Sequence, residues 1–189
     1  MSLLSASKKI ATRAAGRFRR NQRGSAAVEF ALVAPLFFAL LFAIIETGMV
    51  FFASQSLETA VQDSARMILT GQAQTANLTK ATFKSTVVCA HVNVLFDCAN
   101  GVYVDVQSYQ SSASSGGFSQ VTIADPVTNG TFVDNTQYNP GGPGDIVVVR
   151  LFYQWPLFVT GLGYNIANVS GSKRLLSATA AFKNEPYGS

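Results

Sequence analysis

Sixteen consecutive positions from Phe30 to Ile45, FALVAPLFFALLFAII, carry apolar or small side chains without interruption. Extending the run back to Ser25 admits one acid, Glu29, and extending it forward to Ala53 admits one more, Glu46. A helix of about 20 residues, at a rise of about 1.5 Å each, crosses a hydrocarbon core of about 30 Å. Beyond the run the pattern changes. Leu57, Ala60, Val61, Ala65, Ile68 and Leu69 recur at intervals of three and four, the helical period, with Glu58, Gln62, Asp63 and Arg66 between them. Asp63 is placed to meet Arg66 along the helix. No turn signal separates the two stretches, and Gly71 is the first stop. One helix is therefore expected from about residue 26 to about residue 70, apolar all round at first and amphipathic afterwards. The second half needs a domain to lie against. Pro35 removes one backbone hydrogen bond inside it. Ordinary membrane-helix plasticity and a flexible point used in assembly both accommodate that residue.

After residue 76 the periodicity shortens. Leu78 to Ala90 predicts a short helix carrying Ala81, Phe83, Val87 and Val88. Valines at 102, 104 and 106 give a strand of period two over 101–109. Residues 145–153, DIVVVRLFY, form the strongest strand, and 174–182 a third. Ser111 to Gly117 and the run NPGGPG ending at Gly144 read as loop, with room for a minor hairpin. With no helical crossover between the last two strands, the sheet is expected to be antiparallel. The fold class is α+β: a long N-terminal hydrophobic helix packed on a small antiparallel sheet. The organisation is a basic leader 1–24, a transmembrane helix 25–53, an amphipathic continuation 54–76 and a head 77–189.

Charge adds a direction. Lys8, Lys9, Arg13, Arg17, Arg19, Arg20 and Arg23 precede the span with no acid among them, while the rest of the chain is net acidic. A basic tail alone is compatible with nucleic acid or anionic lipid. Set directly before a hydrophobic span it acts as a topology signal, leaving the N-terminus in the cytoplasm and exporting the head. A cleaved secretory signal fits poorly, because no small-x-small site is clear between Ile45 and Gln55. A twin-arginine signal fails because Asn21 and Gln22 follow Arg19-Arg20. Glu46 is expected to mark the far interface, where it would be solvated.

Cys89 and Cys98 both fall on the exported side, close enough to bridge across a small loop. The alternatives are two buried thiols, or a metal held by Cys89, His91 and Cys98, which lacks a fourth ligand. Catalytic chemistry has little to build on. The chain has one histidine, no G-x-S-x-G elbow and no phosphate-cradling loop, and its head acids are scattered singly. No catalytic residue, metal site or cofactor is assigned, and no nucleic-acid partner.

Residues 19–30, RRNQRGSAAVEF, run straight into the apolar helix. They resemble the recognition site of prepilin peptidases: a basic leader, a glycine, then Glu29 and Phe30 at the fifth and sixth following positions. The anchor SAAVEFALVAPLF resembles the TadE-like family of pseudopilins from tight-adherence pilus systems. So do Ala65-Arg66, Gly71-Gln72, the paired cysteines, the VVVRLFYQWP strand and the terminal NEPY of 184–187. The resemblance implies a non-enzymatic minor pseudopilin, cut by a prepilin peptidase between Gly24 and Ser25. It implies that Glu29 pairs with the new Ser25 amine of its own or a neighbouring subunit and so sets register. The implied partners are that peptidase, other pilins and pseudopilins, the inner-membrane assembly platform and membrane lipid. The implied place is the bacterial inner membrane with a periplasmic head, or outside the cell once built into a pilus. The alternative is a bitopic inner-membrane protein, unprocessed, whose head binds a ligand or protein partner.

Overall fold

The computed structural model describes residues 24–92, 95–110, 121–161 and 164–187. Helix α1 spans Ser25–Leu69 with Pro35 inside it, matching the expected continuous helix. The chain divides into two units, Met1–Ala43 and Ile44–Ser189. Within the first, the described part of α1 has nearly every large apolar side chain exposed.

In the second unit α1 buries a single stripe. Glu46, Val50, Ala53, Leu57, Ala60, Val61, Ser64, Ala65 and Ile68 are all buried, at steps of three and four. The helix ends where Gly71 takes φ 75°, a left-handed conformation that costs glycine little. A short α2, Gln72–Thr75, follows. Then come α3, Lys80–Phe83, a π-helical turn, Lys84–Val88, and α4, Cys89–Val92. Thr79 caps α3 by accepting the Thr82 backbone N–H at 3.2 Å. Phe83, Val87 and Val88 face the core as expected, but Ala81 is exposed because it falls on the solvent side of the first turn. Helix α5, Cys98–Gly101, is capped by Asp97 and leads into the sheet.

Strands β1, Val102–Tyr109, β4, Ile146–Pro156, and β5, Lys173–Lys183, form an antiparallel sheet in the order β1-β4-β5. Register places Val104 opposite Leu151 and Val106 opposite Val149, with Val149 opposite Ala180 on the other side. These residues form one core with Leu57, Val61 and Ile68 of the helix. Burying each such Leu, Ile or Val contributes about 1.5–3 kcal/mol relative to leaving it in water. Between β1 and β4 lies the minor hairpin, β2, Val127–Thr128, and β3, Thr131–Phe132. Its turn is Asn129-Gly130, both with positive φ, which suits the right-handed twist of a tight hairpin.

The sheet is covered on both faces over β1 and β4. The helix covers one face. On the other, Phe132 packs against Tyr103 and Phe152 at ring distances of 4.6 and 6.0 Å. That second cover explains why β4 is buried without alternation from Ile146 to Phe152. Strand β5, beyond its reach, keeps the alternating pattern, with Ser177, Thr179 and Ala181 exposed.

Candidate functional site

The outstanding surface is the apolar helix itself. Leu32, Leu36 and Phe30 are 76%, 70% and 67% exposed, and the neighbouring Phe37, Leu40 and Ile44 are also open. Such a face is not left in water by a soluble monomer. Among the described residues α1 is the one helix long and apolar enough to cross a membrane.

The residues singled out by sequence lie at its beginning. Gly24 directly precedes the helix, and a β-carbon built on it would meet nothing within 4 Å. Ser25 is the first helical residue, and Glu29 and Phe30 stand exposed about one turn later. The spacing from Ser25 to Glu29 is that of neighbours on one helix face. The leader, 1–23, lies outside the described residues.

Glu46 departs from expectation. It is buried rather than solvated, because the chain leaving β4 returns to the helix and supplies backbone donors. The Phe158 N–H donates to Glu46 Oε1, and the Val159 N–H lies 3.2 Å from both carboxylate oxygens. One residue on, the hydroxyls of Thr47 and Tyr164 are hydrogen-bonded. A carboxylate withdrawn from water requires such partners. The loop also gains, since two N–H groups outside any strand are satisfied.

The terminal NEPY segment closes the far end of α1. The Glu185 N–H donates to the Leu69 carbonyl at 3.0 Å, satisfying one of the open carbonyls at the helix end. Asn184 Nδ2 donates to the carbonyls of Pro140 and Gly142, both at 3.0 Å, and Tyr187 Oη donates to Gly141 at 3.2 Å. The proline- and glycine-rich loop is thereby tied to the helix end. Burial, with Asp145 nearby, raises the Tyr187 hydroxyl above its ordinary pKa.

A second polar device escaped the sequence reading. Arg150, on β4, donates through Nε and Nη2 to Asp105 Oδ2 on β1 at 2.9 and 2.7 Å. Both side chains are buried. Asp105 also accepts from the Gln137 N–H at 2.7 Å and from Gln107 Nε2, while Arg150 Nη1 donates to the Ala124 carbonyl at 2.8 Å. The pair thus holds residues 124 and 137 against the sheet. One acid and one base embedded in two β-branched strands were the signal for it.

Cys89 and Cys98 are bridged, with Cα atoms 5.6 Å apart, joining α4 to α5. Bridged sulfurs offer no thiolate, so the Cys89–His91–Cys98 metal alternative is overturned. His91 instead meets Asp63 at 3.3 Å, and among the described residues that replaces the expected Asp63–Arg66 pair.

One exposed apolar helix of this length is the build of a single-pass membrane protein. Residues 24–66 match the TadE-like protein family, the same family the anchor motif resembles. The match begins on Gly24 and ends at Arg66, before the head. The match lies within the apolar anchor and its amphipathic continuation and spans less than half of the chain. No curated protein and no solved structure matches the chain.

Proposed function

We propose that the chain is a non-enzymatic minor pseudopilin acting in assembly of a tight-adherence, type IVb-like pilus. The observation that carries this reading is the TadE-like match over 24–66. It falls on a helix that begins at Ser25 and leaves its apolar residues exposed. A prepilin peptidase cuts between Gly24 and Ser25, where glycine gives the protease an extended, unhindered backbone. The leader stays in the cytoplasm, the helix remains in the inner membrane and the head lies in the periplasm. Other pilins and pseudopilins pack along the exposed helix, and the inner-membrane assembly platform receives it.

Glu29 sets the register. A carboxylate near hydrocarbon demands a cation, and the Ser25 amine released by cleavage, from the same or a neighbouring subunit, supplies one. Glu29→Ala is expected to insert normally into membranes and to lose pilus assembly. Full piliation with that variant would contradict the register role.

A further inference from the structure

The loop that closes over Glu46 leaves the large apolar ring of Phe158 in the open. We propose that residues 157–159 form a second membrane contact, in which the Phe158 ring enters the outer edge of the bilayer that α1 crosses. The inference rests on the membrane span and not on proteolytic processing.

Depth comes first. The chain from Ser25 to Ile45 is helical, and its length of about 30 Å matches the hydrocarbon core. Glu46, the next residue, therefore lies at the hydrocarbon edge. Phe158 is hydrogen-bonded to it through the backbone and so lies at the same level. Its side chain is 86% exposed, the most open large apolar group among the described residues.

Chemistry points the same way. Where backbone enters the hydrocarbon edge and loses water, its polar groups need partners within the protein. Glu46 satisfies the N–H groups of Phe158 and Val159, and the Leu157 N–H donates to the Ser172 carbonyl at 3.0 Å. The carboxylate is thus a staple that lets a loop sit where free N–H groups could not. Around it stand groups that favour the interface. Tyr164, half-buried, is bonded to Thr47 beside Glu46, and Lys173 faces Pro156 across the ladder, while Trp155 packs inward against Phe96. Phe51 and Phe52, 71% and 62% exposed, continue the apolar surface of α1 just beyond Glu46. Aromatic rings with a flanking cation are what the headgroup level selects. The occupant is lipid of the leaflet on the head's side.

The chain has one tryptophan, Trp155, so a single probe can be moved. The full chain is reconstituted in phosphatidylcholine–phosphatidylglycerol vesicles whose acyl chains are brominated near the glycerol. Trp155→Phe is combined in turn with Phe158→Trp, Phe38→Trp and Ile123→Trp. A probe at 158 is expected to be quenched severalfold more than one at 123, and to be protected from iodide. Phe158→Trp with Trp155 retained gives the same comparison as an added signal, should Trp155→Phe perturb the fold. Quenching at 38 but not at 158 overturns the loop contact while leaving the span intact. Absence of quenching at 38 removes the span and the proposal together. A probe at 158 shielded from both bromine and iodide assigns the ring to a second protein chain and also overturns it. Adding Glu46→Ala is expected to shift the 158 probe from lipid to water, and no shift would contradict the staple.

Discussion

The ring of Tyr187 lies so close over Gly71 that a β-carbon on the glycine would fall 2.2 Å from the ring carbon Cγ. Gly71 also holds φ 75°, where a side chain is strained whatever the space. Gly71→Ala is therefore expected to lower head stability by about 1–3 kcal/mol, read from thermal unfolding in detergent. Tyr187→Ala removes the clash but not the strain, so adding it to Gly71→Ala should cost less than its effect alone. Strict additivity would show that the two residues are not coupled.

Asp105 and Arg150 are buried together, and removing one leaves the other charge uncompensated. Asp105→Ala is expected to cost about 3–5 kcal/mol. Asp105→Leu with Arg150→Met should cost less than the two single losses combined, measured by denaturant unfolding. A small effect of Asp105→Ala would show that the pair is not the clamp holding residues 124 and 137.

Reduction of the Cys89–Cys98 bridge releases a short loop between α4 and α5. A loss of about 2–4 kcal/mol is expected, with new thiol reactivity appearing in step. Thiols that react in the native, unreduced protein would contradict the bridge.

Tyr138 supplies a pH dependence. Burial pushes its hydroxyl up to about 12, and the oxygen is buried without a hydrogen-bond partner. The folded state favours the protonated phenol, so this contribution is complete below the ordinary tyrosine value of about 10. It is lost as pH rises from there through about 12. Tyr138→Phe should flatten that alkaline decline in stability, and an unchanged decline would assign it elsewhere.

Local pattern carried much of the fold. The start of α1 near Ser25, its stop at Gly71 and the three main strands follow from period and breakers within a few residues. What the pattern missed depends on distant partners. Glu46 reads as an interfacial acid until Phe158, 112 positions away, is brought to it. Asp105 and Arg150 sit 45 apart in strands whose β-branched neighbours dominate their pattern. The second cover over β4 comes from a polar stretch with no strong period of its own. At the site, Cys89 and Cys98 are legible because their loop is short, whereas Gly24, Ser25, Glu29 and Phe30 rest on a linear motif whose processing is proposed and is tested by the mature N-terminus.

The mature N-terminus decides the central question. It is measured by mass spectrometry of membrane-extracted protein from cells with and without their prepilin peptidase. A chain beginning at Ser25 that disappears when the peptidase is absent is the predicted result. A chain beginning at Met1 in both would contradict it, leaving a plain bitopic protein whose function lies in its head.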